Sequence, residues 1–260
     1  MCTLIALHRL RADRPLVVAA NRDEFLTRRA DPPAWLAPGC VGGRDARGGT
    51  WLGVNHVGLF VGLTNQRTGL RPEPARPSRG GLVLRALQAG SVGAIEALLA
   101  ALQGDYPPFN LLFGDGERLV VAYGRPGLPA EVHDLPPGLH VLCNDRLGSP
   151  HFPKAARAAA CARPLVDLPW EDCAAGLHRV LADHTQPEAV PPSDLPLSPA
   201  VLRGLQALCV HLPGYGTRSA ALVALRPGAV LDHRHADGPP CEVGWAEVGR
   251  GALPSSLDGR

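Results

Sequence analysis

The sequence has almost no excess of charge of either sign: 26 Lys and Arg face 24 Asp and Glu, a formal net charge of +2, and the arginines are scattered. That excludes the electrostatic footprint of a nucleic-acid or anionic-membrane binder. A disulfide framework is missing too. Seven cysteines, an odd number with no C-x-x-C pair, fit reduced thiols and a cytosolic compartment. No apolar run is long enough to span a bilayer, and CTLIAL at the start is too short for a secretory core and is interrupted by His8 and Arg9. No internal repeat is found. Gly (30) and Pro (27) are abundant but interleaved with apolar runs, so they describe a loop-rich globular chain and not a disordered one. The 260 residues suffice for a single domain with a sizeable core. Heavy use of Ala, Arg, Gly and Pro fits a GC-rich bacterial genome.

The pattern along the chain is that of strands early, helices in two batches, and strands late. Residues 2 to 9, the turn RADRP and the run LVVAAN predict a hairpin that sets Cys2 beside the Asn21-Arg22-Asp23-Glu24 cluster at the second strand's end. TWLGVN and LFVGLTN, ending in Asn65, predict a second hairpin. Residues 66 to 79 are rich in Arg, Pro and Gly and read as an exposed loop. GLVLRALQ and SVGAIEALLAALQ have helical spacing, with Ser91 as N-cap of the second. FNLLFGD, RLVVAYG and GLHVLCN, which closes on Asn144, are strands. Helices are expected over 153 to 163 and 170 to 184, a Pro-rich surface connection over 187 to 199, and three strand-like runs in TRSAALVAL, AVLDHR and CEVGWAEV. The sum is a mixed α+β architecture of largely antiparallel sheets covered by helices.

Cys2 carries the chemical interest. A nucleophilic cysteine needs a base and donors for the oxyanion it creates. With Met1 removed, the α-amine of Cys2 has a reference pKa of about 7.7–8.0 and the thiol about 8.5, so the two groups of one residue exchange a proton near neutral pH. Arg218, between Gly216 and an apolar strand, has little reason to be a surface cation. Arg22 and Trp51 are placed as substrate contacts, Trp51 and Trp245 also fitting simple packing. His233, His235 and Cys241 lack standard ligand spacing, so no metal is expected. Cys40, Cys143, Cys161, Cys173 and Cys209 read as core thiols.

In combination, MCTLIAL, AANRDEF, GGTWLGVN, GLFVGLTN, LCND, a nearby FPK and GYGTRSA resemble the NRDE family, bacterial and eukaryotic relatives of the transport and Golgi organisation protein 2. That family is in turn similar to the cysteine branch of N-terminal-nucleophile (Ntn) hydrolases, which includes penicillin V acylase and bile salt hydrolase. The resemblance implies an αββα sandwich as one domain over 1 to 260. It also implies Cys2 as nucleophile, Asp23 as the carboxylate fixing the α-amine, Asn65 and Asn144 as oxyanion and amine-orienting amides, and Arg218 as the charge-stabilising cation. The implied reaction is hydrolysis of a small-molecule amide or ester through a Cys2 thioester. Where the acylases carry an Arg three residues before the aspartate, this sequence has Ala20, with Arg22 adjacent to Asp23 instead. The eukaryotic relatives imply an alternative, a non-catalytic haem- or lipid-binding and trafficking protein in which Cys2 or His8 ligates haem iron.

Overall fold

The computed structural model describes residues 2–67, 76–102, 104–189, 193 and 195–248. Most of the expected loop over 66 to 79 and part of the Pro-rich connection over 187 to 199 lie outside the described residues. In chain order, β1 (Thr3–His8) and β2 (Leu16–Phe25) form a hairpin, followed by β3 (Ala30–Ala37), β4 (Cys40–Asp45), β5 (Leu52–Asn55) and β6 (Phe60–Asn65). Helices α1 (Arg79–Gln88) and α2 (Val92–Ala100) precede β7 (Phe109–Gly114), β8 (Leu119–Gly124), β9 (Glu131–Asp134) and β10 (Gly138–Leu142). Then come α3 (Pro153–Ala162), α4 (Trp170–Leu181), α5 (Pro199–Gly204), β11 (His211–Leu212), β12 (Tyr215–Arg226), β13 (Ala229–Ala236) and β14 (Ala246–Glu247).

Two seven-stranded sheets result. One runs β10-β1-β2-β12-β13-β14 with β11 on β12, the other β3 through β9 in sequence order. Every pairing is antiparallel. Period-2 alternation assigns the faces of β2. Leu16, Val18 and Ala20 meet Val54, Phe60 and Val121 of the other sheet, whereas Val17 and Ala19 pack with Ala158 of α3 and Leu177 and Leu181 of α4. Both faces are covered, which is why LVVAA is an unbroken apolar run. Leu82, Leu87, Ile95 and Leu99 cover the far face of the second sheet with α1 and α2. The layers are therefore helix, sheet, sheet, helix, the expected αββα sandwich.

Several elements differ from the sequence expectation. The Asn21 to Glu24 cluster lies inside β2, not beyond it, because β12 pairs with β2 as far as Phe25. The hairpin β3–β4 was not anticipated. Pro32 and Pro33 are tolerated because β3 is an edge strand whose pairing with β4 is irregular between Ala30 and Pro33. Of CEVGWAEV only Ala246 and Glu247 are strand, and α4 ends at Leu181, three residues short of the expected boundary. Ser91 does cap α2, its hydroxyl accepting from the Ala94 N–H at 3.2 Å. At Gly49 a Cβ would sit 2.3 Å from the Gly80 carbonyl carbon. Only glycine admits that approach, which brings Arg79 at the start of α1 to the β4–β5 loop.

Candidate active site

The ends of β1, β2, β6 and β12 and the turn after β10 converge on Cys2, which is partly buried. Its backbone N–H donates to Asn144 Oδ1 at 2.8 Å, and Asn144 Nδ2 donates to the Asn65 carbonyl oxygen at 2.7 Å. Asn144 lies two residues past β10, so its position depends on that turn being held. The holding groups are Thr64, whose hydroxyl donates to Cys143 O at 2.6 Å, and Asn110, whose amide donates to Cys143 O at 3.2 Å and Asp145 O at 3.1 Å. Asn110 is fully buried. Asn65 enters through its backbone; its residue is exposed at the end of β6.

Asp23 is buried, and two of its partners come from other elements. Thr217 of β12 donates its hydroxyl to Asp23 Oδ1 at 2.7 Å, and the Lys154 ammonium of α3 lies 3.4 Å from Oδ2. The Asp23 carbonyl oxygen accepts from the Tyr215 hydroxyl at 3.0 Å and is the nearest partner of the Cys2 sulfur, at 4.0 Å. The carboxylate belongs to the helix-covered face, as Val17, Ala19 and Asn21 do; Asn21 Nδ2 donates to Leu181 O and Leu208 O.

Strand parity gives Arg22 the opposite face. The β1–β2 register pairs Thr3 with Asn21 and Leu4 with Ala20, and one further step sets Cys2 opposite Arg22, on the side where the two sheets meet. Arg22 is 4 % exposed, with Nη2 3.3 Å from Asp45 and 3.9 Å from Glu24. Burial pushes the Cys2 thiol up from its ordinary value, and the nearby Asp23 charge adds to this; the charge at the chain terminus and Arg22 pull it down. Arg79, which donates to Pro108 O at 2.9 Å, also feels the Cys2 and Glu24 charges, although burial lowers its own pKa.

Beside Arg22 the sheets enclose a crevice of about 20 Å³, lined by Asp45, Trp51, Arg218, His233 and His235 among others. Arg218 reaches it because β12 bulges between Thr217 and Ser219. Among the described residues, Arg22 Nη1, Arg218 Nε and the Nε2 atoms of His233 and His235 are buried without a hydrogen-bond partner. Burial holds the His233 imidazole down at about 4, so it is neutral at ordinary pH.

The sequence placed Cys2, Asp23 and Asn144 in one neighbourhood; the structure brings the Cys2 nitrogen to Asn144 and sets Arg22 on the Cys2 face, while the Asp23 carboxylate lies on the opposite, helix-covered face of β2. It brings Trp51 and Arg218 together at the crevice. Lys154, Thr217, Tyr215, Asn110 and Arg79 went unassigned. FPK and GYGTRSA had drawn notice as segments, which was the one available signal for three of these. Trp245 stacks on His178 at 3.8 Å, a packing contact. His8, the other residue considered for haem, is 2 % exposed at the far end of β1, with Nδ1 3.4 Å from Pro136 O. Of the thiols expected in the core, Cys40, Cys143, Cys173 and Cys209 are buried and Cys161 is half-buried.

The model of the family described as Transport and Golgi organisation 2 matches residues 1–230. The chain belongs to that family. Among its curated relatives, the Transport and Golgi organization protein 2 homologs of Bos taurus and Homo sapiens are each 31% identical, over 228 and 233 residues, covering 80% of this chain and 81% of the relative. Among solved structures, this Transport and Golgi organisation 2 family member is similar to the Caenorhabditis elegans N-acylethanolamine-hydrolyzing acid amidase ortholog, with a TM-score of 0.50 and 13% identity over 87% of this chain and 93% of that one. The Agrobacterium tumefaciens penicillin V acylase follows at a TM-score of 0.49 and 15% identity, covering 95% and 86%. The two antiparallel sheets and the likeness to the amidase ortholog give an Ntn-hydrolase-like fold. Among the described residues no helix is long and apolar enough to cross a membrane.

Proposed function

We propose that this family member is an N-terminal-cysteine hydrolase acting on a linear amide or ester of a small molecule, with Cys2 as nucleophile once Met1 is removed. The observation that carries this reading is the Cys2 backbone nitrogen held at 2.8 Å by Asn144 Oδ1. In the mature chain that nitrogen is the free α-amine, and an amide oxygen on it leaves the lone pair aimed elsewhere, available as a base.

The α-amine takes the Cys2 thiol proton, and the thiolate attacks the substrate carbonyl, forming a carbon–sulfur bond while the carbonyl pair moves to oxygen. Donors around the site bear the oxyanion; Asn65 and Arg218 are assigned here. Collapse breaks the bond to the leaving amine or alkoxide, which receives the proton from the α-ammonium. Water, deprotonated by the same amine, then cleaves the thioester, releasing the acid and restoring the thiol. One water is consumed and no other reactant is needed. Arg22, on the Cys2 face, takes the place of the guanidinium that the acylases carry three residues before the aspartate. Arg22 and Trp51 contact the substrate in this reading, and the cytosol is its setting.

The test is labelling with a small electrophile, together with turnover of a panel of acyl amides and esters. Preferential labelling of Cys2 and turnover that vanishes in Cys2→Ala support the reading; equal labelling of all seven thiols contradicts it.

A further inference from the structure

A second cluster of chemistry-bearing side chains lies apart from Cys2. His184 follows the end of α4, Cys209 precedes β11, His211 opens β11, and Cys241 lies in the turn before β14. One donor atom from each of the four lies within 4.8 Å of all the others. Cys209 Sγ is 3.6 Å from Cys241 Sγ and 3.6 Å from His211 Nε2, and His211 Nε2 is 3.2 Å from Cys241 Sγ. A tetrahedral zinc with Zn–S of about 2.3 Å and Zn–N of about 2.0 Å has S···S and S···N edges of roughly 3.5–3.8 Å. The observed separations are close to those edges.

We propose that His184, Cys209, His211 and Cys241 form a structural site for a divalent soft-ligand metal ion, zinc above all. Two thiolates and two imidazoles make a closed donor set whose two negative charges balance a divalent ion, and no position is left open for chemistry. Binding requires each thiol to release its proton to solvent, so two protons leave per ion bound if both thiols start protonated. The surroundings match those of metal-bound histidines, whose second nitrogen meets a carboxylate or carbonyl oxygen. His211 Nδ1 lies 3.6 Å from Glu242 Oε1, and His184 Nδ1 lies 3.1 Å from Cys209 O. Simple thiol packing explains Cys209, which is 1 % exposed, but not the gathering of three exposed donors around it.

The site would tie three separate segments together next to Asp23. Cys209 N–H donates to Asp183 O at 2.9 Å; Val210 N–H donates to the Thr217 hydroxyl at 2.9 Å, and that hydroxyl donates to Asp23. The ion therefore clamps the strand that supports Asp23 without touching the reacting atoms.

Elemental analysis of the full chain after gel filtration, and cobalt titration of the metal-stripped protein, test this. The expected results are one zinc per chain and, with cobalt, intense tetrahedral d–d bands with a thiolate charge-transfer band. Cys241→Ser and His184→Ala remove exposed ligands and spare the core; each should weaken binding by more than about 100-fold, since loss of a mere supporting group already costs 10–100-fold. Cys161→Ser should bind as the parent does. No retained zinc together with no cobalt thiolate band at micromolar metal overturns the proposal. So does binding in both ligand variants that equals the parent's, or an intact mass two hydrogens light that reductant restores, which would make Cys209 and Cys241 a disulfide.

Discussion

The ammonium of Lys154 and the carboxylate of Asp23 lie 3.4 Å apart with neither side chain exposed. A buried pair of this kind contributes little against apolar replacements, but removing Lys154 takes a cationic partner from a buried carboxylate that keeps its Thr217 contact. Lys154→Met should therefore destabilise the chain by up to about 3–5 kcal/mol, and Lys154→Met with Asp23→Asn by clearly less. Denaturant unfolding of the single and double variants checks this; equal losses in both would show that the pair is not coupled.

Asn144 joins the Cys2 nitrogen to the Asn65 carbonyl. Asn144→Ala should slow turnover and Cys2 labelling by about 10²-fold or more, the size typical of losing a positioned polar group at a reacting centre. Circular dichroism should show the fold unchanged. An unaltered labelling rate would remove Asn144 from the machinery.

Arg22 pulls the Cys2 thiol down against the larger effect of burial. In Arg22→Gln the pH profile of Cys2 alkylation should move to higher pH. A profile that stays in place, or moves to lower pH, contradicts the shared face deduced from the β1–β2 register.

His233 bears on stability. Its folded pKa of about 4 lies below its ordinary 6.5, with burial the main cause, His235 adding to the shift and Asp232 opposing it. As pH falls the unfolded chain takes up this proton first, so the contribution is whole above about pH 6.5 and fades toward pH 4. It amounts to as much as about 3 kcal/mol. Melting temperatures measured across that window should fall less in His233→Gln than in the parent.

The distribution of what the sequence revealed follows from distance along the chain. The β1–β2 hairpin and the Asn144 turn are local patterns, each legible from alternation and turn chemistry. Lys154 is 131 residues from Asp23, and Thr217 is 194 away; nothing in their neighbours marks them as partners of a carboxylate. The β3–β4 hairpin was hidden because its prolines signal a turn unless the strand is known to be an edge. Likewise Cys241 was first weighed with His233 and His235, its neighbours in sequence. The fold sends those histidines to the crevice between the sheets and Cys241 to Cys209 and His211.

In the proposed mechanism Cys2 is the first residue of the mature chain and its most activated thiol. Intact-mass analysis of the protein before and after brief treatment with substoichiometric electrophile, followed by peptide mapping, tests it most directly. The expected result is a chain lighter by one methionine and a single adduct on Cys2. Retention of Met1, or adducts spread over the other cysteines, would contradict it.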